Sequence, residues 1–410
     1  MRLKSTLFLG AFLISSVSLK SQNMAVKSLK EDISFLASDK LKGRGTSSPE
    51  ELMAAEYIAQ KFKKLGLIPF NNTYLKPFKY KKSSNPHDTS TADIKEKTAN
   101  NVVGFLDNKA PYTIVVGAHY DHLGLGHDHN SLDANPDGKI HNGADDNASG
   151  TAGVIALAEH FSNNKLKEPF NFLFVCFSGE ELGLLGSKKY CEDPDIELTK
   201  INYMVNMDMI GRLNDSTKKL LVYGVGTSPV WVPLIDSIKT VFSIKKDSSG
   251  IGPSDQTSFY LKDIPVLHFF TGQHSDYHKP GDDIEKINYK GEAEVLEYIA
   301  KLIEKTFNHN KLSFSKTRIP DTGKGSFKVT MGVMPDYAFD GEGMRIDGVT
   351  DGRPANKAGI LKGDIVKKIG TVDVKNVQDY MKGLSEFKKG DTAPIEILRN
   401  GQIKKMNVTF

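Results

Sequence analysis

Apolar residues in this chain recur with two different periods. Between positions 50 and 65, Leu52, Ala55, Ile58, Phe62 and Leu65 are spaced by three and four and Gly66 follows, which predicts an amphipathic helix with a glycine stop. From position 113 the pattern changes to short continuous apolar runs, at 113–118, 171–177, 203–207 and 264–270, each short enough and β-branched or aromatic enough to predict a buried strand. Helical periodicity separates them at 150–162, 229–242 and 290–308. Strands alternating with helices predict an α/β fold, with a mixed, mainly parallel sheet sandwiched by helices. Ligands of such sheets bind beyond the strand ends. The polar stretch 79–98 is expected to be an exposed loop. The segment 311–326, KLSFSKTRIPDTGKGS, is polar and carries Pro and Gly, and it reads as a linker between a first unit at 23–310 and a small β-rich unit at 327–410.

The first positions break the globular pattern. Arg2 and Lys4 precede an apolar run at 7–17, and a short polar stretch ends at Ser21 and Gln22. This is the layout of a secretory signal at 1–22, and its apolar run is far shorter than the roughly 20 residues a membrane-spanning helix needs. The expectation is export, to a periplasm or beyond the cell, with no membrane span left after cleavage. Loss of 1–22 removes Arg2, Lys4 and Lys20 and no acid, so the formal charge falls from +4 to +1. No clustered positive charge remains, which excludes nucleic acid as the expected partner. The two cysteines, Cys176 and Cys191, could pair in an oxidising compartment or stay reduced in the core.

Composition alone, with 39% hydrophobic and 25% charged residues over 410 positions, says only that the chain is globular and long enough for two domains. The chemistry lies where the predicted strands end. Run 113–118 leads into His119 and Asp121, run 171–177 into Glu180 and Glu181, and run 203–207 into Asp208. GADDNASG, with Asp145 and Asp146, falls between the first two, and SDYHKPGDD presents His278 further on. Carboxylates and imidazoles gathered at one sheet edge are costly unless cations neutralise them. Charge counting favours two zinc ions over one, because three carboxylate ligands with two neutral histidines set roughly three negative charges against four positive ones.

At these residues the chain resembles the binuclear zinc aminopeptidases of the leucyl and bacterial type, in the clan that also holds glutamate carboxypeptidase. The resemblance spans roughly 30–309 and rests on six ordered motifs: LKGRGT at 41–46, GAHYDHLG at 117–124, HNGADDNASG at 141–150, FSGEELGLLGS at 177–187, NMDMIGR at 206–212 and SDYHKPGDD at 275–283. It implies a zinc exopeptidase fold that binds two zinc ions and hydrolyses the N-terminal bond of peptide substrates. It makes Asp145 the carboxylate shared by both metals, His119 and Asp208 the remaining ligands of one, and Glu181 and His278 those of the other. Glu180 becomes the general base, Asp121 the carboxylate that orients His119 through its second ring nitrogen, and Asp146 a residue that shapes the backbone of the shared motif. Tyr277 is a candidate donor to the developing oxyanion.

His127, His129 and His141 fall in a polar loop between two of these motifs, where a third ligand set or a cleft mouth are both compatible with the spacing. His274 competes with His278 for the ligand role. Residues 327–410 resemble a bacterial PDZ domain through VTMGV at 329–333, GMRIDGV at 343–349 and RPANKAGILKGDIVKKIG at 353–370. That resemblance implies a groove for the C-terminal end of a peptide or protein ligand, with backbone amides at 330–333 taking its carboxylate. The competing readings are a carboxypeptidase or other amide hydrolase on the same scaffold, and a non-catalytic peptide-binding protein.

Overall fold

The computed structural model describes residues 15–82, 95–128, 130–164, 166–317, 329–335, 339, 341–349, 352–375 and 377–410. The expected export signal begins outside these residues, and its last positions open the first helix, α1 (Ser15–Leu36). No helix of the described residues is long and apolar enough to cross a membrane.

The larger region continues with α2 (Pro49–Lys64), β1 (Leu75–Lys82), β2 (Lys95–Leu106), β3 (Thr113–His119), α3 (Gly150–Asn163), β4 (Asn171–Phe177), α4 (Leu185–Glu192) and β5 (Ile201–Met207). It closes with β6 (Lys219–Tyr223), α5 (Trp231–Ser237), β7 (Ser243–Lys246), α6 (Gln256–Tyr260), β8 (Val266–Phe270) and α7 (Tyr289–Lys305). The eight strands form one sheet in the order β1-β2-β4-β3-β5-β8-β6-β7. Its centre, β4-β3-β5-β8, is parallel. The pairs β1/β2, β2/β4 and β6/β8 are antiparallel, so the sheet is mixed with a parallel core.

β3 and β4 are buried at every position, and successive residues feed opposite faces of the sheet. Ile114 and Val116 join the core that α2, α3 and α7 cover, while Val115 joins the core against Tyr190 of α4 and Phe259 of α6. This is the period-2 alternation of a strand covered on both sides. Space is tight at Gly117, where a Cβ would stand 2.8 Å from Phe177 Cε2 and 2.9 Å from Met204 Cε. The helix expected near 50–65 is α2. Ser48 caps it by accepting a hydrogen bond from Glu51 N at 3.0 Å, and Pro49 occupies the first turn, a start that removes one orphan amide and fixes φ. Ala55, Ile58 and Phe62 are fully buried, whereas Leu52 is 40% exposed.

Two expectations need correction. The stretch 79–98 is not simply a loop, because 79–82 and 95–98 belong to the antiparallel pair β1/β2, and positions 83–94 lie outside the described residues. The helix expected at 229–242 ends at Ser237, and the β-branched sequence that follows turns extended at Ile238 and enters β7, in keeping with the χ1 cost of such residues in a helix. Cys176 and Cys191 are both free and buried, and burial pushes the Cys191 thiol up to about 12.

The C-terminal region comprises β9 (Val333–Pro335), β10 (Met344–Val349), α8 (Pro354–Lys357), β11 (Ile365–Ile369), β12 (Val372–Asp373), α9 (Val377–Ser385), β13 (Thr392–Arg399) and β14 (Gln402–Thr409). The sheet order is β14-β13-β11-β10-β9, and β12 pairs with β11. Asn400 and Gly401 join β13 to β14 with φ of 51° and 78°, the double positive φ that an Asn-Gly hairpin turn supplies. Val366, Ile369, Ile395, Ile397 and Val408 form a core of its own.

Candidate metal centre

Three parallel strands and one strand-to-loop turn deliver the chemistry. β3 ends on His119, β4 runs into Ser178–Gly179–Glu180–Glu181, β5 runs into Asp208, and the chain beyond β8 carries His274 and His278. The Glu180 turn is fixed from the neighbouring strand: Asn101 Oδ1 accepts from Ser178 N at 3.1 Å and Asn101 Nδ2 donates to Gly186 O at 2.9 Å. The Asp145–Asp146 turn is held by buried Arg44 of the LKGRGT motif, whose guanidinium donates to Asn142 O at 2.6 Å, Gly143 O at 3.1 Å and Leu36 O. Gly143 is required at φ 56°, since a Cβ there would stand 2.1 Å from Asp146 O and 2.4 Å from the His122 ring. The Asp146–Asn147 peptide is cis.

The carboxylate that enters the cluster is Asp146, not Asp145. Asp146 Oδ1 lies 3.4 Å from His119 Nε2, which is also 3.4 Å from Asp208 Oδ1. Asp146 Oδ2 lies 3.2 Å from His278 Nε2, which is also 3.2 Å from Glu181 Oε2. Asp145 turns away and accepts from Gly211 N at 2.7 Å and Ser149 Oγ at 3.1 Å. The physical reason is the local backbone: Asp282 Oδ2 accepts from both Asp145 N and Asp146 N at 3.0 Å, and the irregular turn that follows sends successive side chains in opposite directions. Asp145, the residue expected to be shared, thus stands outside the cluster, and Asp146 occupies the place between the two histidines.

The two histidines turn Nε2 inward. His119 Nδ1 is 3.1 Å from Asp121 O, and His278 Nδ1 is 2.8 Å from Asn130 O. A carbonyl oxygen only accepts, so each Nδ1 carries the proton and each Nε2 faces the carboxylates. It is therefore the main-chain carbonyl of Asp121 that bonds His119; its carboxylate is 3.7 Å from the ring and instead accepts from Thr46 Oγ1 at 2.8 Å and Glu180 N at 3.1 Å.

Donors about 2.0–2.1 Å from a tetrahedral zinc stand about 3.3–3.4 Å apart. The four His–carboxylate separations, at 3.2–3.4 Å, match that spacing. Asp146 Oδ2 and Asp208 Oδ1 are buried without a hydrogen-bond partner. Burial disfavours a charged His119, yet Asp208 and Glu180 outweigh it and hold its pKa well above the ordinary value, and Glu181 and Asp146 do the same to His278. Such a site carries more negative charge than its own groups balance. The donors are of the kind and spacing that fit zinc.

His122 was passed over in the sequence, although it stands in GAHYDHLG. It belongs with Asp146 and Glu181 in one of two groups of metal-competent side chains among the described residues, the other being His119, Asp146 and Asp208. Its Nδ1 is only 2.7 Å from Glu181 Oε1, closer than two donors approach on one ion, and the contact is a hydrogen bond. His274 stands against Asp145 rather than in either cluster. His141 is buried and bonds Ser131 Oγ at 2.7 Å, His127 is exposed, and His129 lies outside the described residues.

Glu180 stands half-buried beside both clusters. Burial, together with Glu181, Asp208 and Asp255, holds its carboxyl well above the ordinary range, opposed by His119. It lines a cleft with His119, Asp146 and Asp208, and with the side chains of Met209, Tyr223 and Phe270. Tyr277 lines the same cleft and stacks on His278 with ring centroids 3.9 Å apart. His268, at the cleft from β8, is kept neutral by burial with its pKa lowered to about 4.

The chain is similar to known peptidases. Residues 101–303 match Peptidase family M28 and residues 320–410 match the PDZ domain. Leucine aminopeptidase 2 of Trichophyton rubrum is 27% identical over 235 residues, covering 49% of this chain and 46% of that protein, so the chain spans about half the length of the curated relatives it matches. In fold, the chain is similar to an aminopeptidase from Aneurinibacillus sp. strain AM-1, with a TM-score of 0.55 at 18% identity over 72% of this chain and 96% of that one. It is also similar to BSAP, a zinc aminopeptidase from Bacillus subtilis, with a TM-score of 0.53 at 17% identity over 70% and 95% of the two chains. The chain carries a peptidase domain of family M28 followed by a C-terminal PDZ domain.

Proposed function

We propose that this chain is a zinc aminopeptidase that hydrolyses the N-terminal bond of peptides, with His119, Asp146 and Asp208 holding one zinc ion and Asp146, Glu181 and His278 a second. The observation that carries this reading is the set of four His–carboxylate separations at 3.2–3.4 Å around a single shared carboxylate. Zinc bound there would polarise a peptide carbonyl and acidify a water molecule. Glu180 is the proton carrier: it is not among the five ligand residues, it stands half-buried beside them, and its affinity for a proton is already raised by desolvation. A base of raised pKa both takes a proton from water and returns it to the leaving amine near neutral pH. Asp121 positions Glu180 by accepting its backbone N–H, and His122 positions Glu181. Tyr277 lines the cleft where the oxyanion would develop.

The apolar lining from Met209, Tyr223 and Phe270 suits an apolar first side chain. The carboxypeptidase alternative needs a cation to grip a terminal carboxylate. Arg44 is spent on buried main-chain carbonyls, and Arg212 has both terminal nitrogens 3.4 Å from Asp276 Oδ2, while Lys286 Nζ lies 2.7 Å from Asp276 Oδ1. Both guanidinium groups are already engaged. We further read the N-terminal run as an export signal and the C-terminal region as a holder of peptide ends that brings substrate or a partner to the enzyme.

The deciding experiment assays the chain lacking residues 1–22 on free and N-acetylated aminoacyl and peptidyl substrates, with and without a chelator, beside Glu180→Gln. The expected result is cleavage of free-amine substrates only, abolished by the chelator and lowered about 10²–10⁴-fold in kcat by the substitution. Release of the C-terminal residue from blocked peptides would replace this reading with a carboxypeptidase. Absence of any chelator-sensitive cleavage would favour the binding protein.

A further inference from the structure

Behind the proposed ligands lies a second buried group of charges that the reaction does not use. Asp145, fully buried, has Oδ1 satisfied by Gly211 N and Ser149 Oγ, while its Oδ2 has no hydrogen-bond partner. Asp282, also fully buried, has Oδ2 satisfied by the amides of Asp145 and Asp146, while its Oδ1 has none. His274 stands between the two unpartnered oxygens, with Nε2 3.3 Å from Asp145 Oδ2 and 3.8 Å from Asp282 Oδ1. Arg212 approaches Asp282 Oδ1 only to 3.9 Å.

Each of these contacts joins a different loop. Asp145 belongs to the turn that presents Asp146. Gly211, bonded to Asp145 Oδ1, belongs to the loop that presents Asp208. Asp282 and His274 flank His278 in the chain, and Ala144 N donates to Asp282 O at 2.9 Å. Two buried carboxylates facing each other's loops repel unless a donor or cation sits between them. His274 is the side chain in that place, although it is four residues from a proposed ligand and lies outside both donor clusters.

We propose that His274 is a positioning residue that, by standing between Asp145 and Asp282, locks together the loops presenting Asp146, Asp208 and His278 and so sets how tightly the centre retains zinc. The inference rests on the zinc reading above and assigns His274 no contact with the metal. Without the imidazole, Asp145 Oδ2 and Asp282 Oδ1, which already lack a hydrogen bond, also lose the side chain that stands between them, and the loops relax to reach water.

The test uses the full chain loaded with zinc and follows zinc transfer to a chromophoric chelator, with the zinc bound per chain counted at saturation. His274→Ala is expected to weaken zinc retention about 10–100-fold, the scale on which groups that orient metal ligands act, with the zinc count at saturation unchanged. His274→Gln, which keeps a donor of similar reach, is expected to fall between it and the wild type. His127→Ala, at an exposed histidine, should match the wild type. If His274→Ala fails to fold by circular dichroism, His274→Gln carries the same comparison. Retention within twofold of wild type in a folded variant overturns the inference, and so does loss of one zinc per chain at saturation, which would make His274 a ligand. A wild-type chain that binds no zinc overturns the zinc reading and this inference with it, whereas zinc binding that the variants leave untouched overturns the inference alone.

Discussion

The C-terminal region and the candidate metal centre of the larger region treat buried acids in opposite ways. In the C-terminal region Asp364 is the buried acid among the described residues, and its neighbours satisfy it: Arg399 Nε donates to Oδ1 and Nη2 to Oδ2, both at 2.6 Å, and Leu361 N donates to Oδ2 at 2.8 Å. In the larger region Asp146 and Asp208 each keep an oxygen with no hydrogen-bond partner, and the histidines facing them are drawn toward protonation. A buried charge answered by the protein's own groups is architecture. A cluster left unanswered calls for a partner from outside the chain, and four His–carboxylate spacings of 3.2–3.4 Å say which kind.

This contrast can be broken from either side. The largest effect is expected from zinc removal. Two sites held at free zinc 100-fold above Kd contribute about 5 kcal/mol of stability by mass action. A chelator should therefore lower the thermal midpoint markedly and speed hydrogen exchange in 117–124, 142–150, 178–183 and 206–212, while β11 and β13 stay protected. Equal loss of protection in both regions would contradict the contrast.

A smaller effect is expected from Arg399→Ala. It leaves Asp364 buried with only the Leu361 amide, and because Arg399 is itself one-fifth exposed the cost should lie near the bottom of the range for a broken buried pair, about 3 kcal/mol. Denaturant unfolding followed by exchange in β11 and β13 would read it. Zinc content and peptide hydrolysis should not change, and a loss of zinc in this variant would show that the two regions do not divide the work as described.

Much of the larger region was legible because its parallel strands are buried on both faces. Runs such as TIVVGA and NFLFVCF stop abruptly at His119 and before Glu180, so strand and donor announce one another. The β1/β2 pair hid for the opposite reason: LKPFKYKK exposes Lys79 and Lys81 at a sheet edge and buries Phe78 and Tyr80, a pattern that composition assigns to a loop. The choice between Asp145 and Asp146 could not be made from residue type, since both are aspartates and the direction of each depends on backbone held by Asp282 from 136 positions away. His122 and Arg44 stood inside quoted motifs without a role, because what they do is hold Glu181 and the 142–143 carbonyls, and holding leaves no mark in spacing.

The most direct test is the zinc content at saturation of the wild-type chain, Asp146→Asn and Asp145→Asn, measured by mass spectrometry on folded protein. If Asp146 joins two sites, the wild type holds two zinc ions per chain, Asp146→Asn loses both or nearly both, and Asp145→Asn still fills both. Two zinc ions retained by Asp146→Asn and lost by Asp145→Asn would contradict the account.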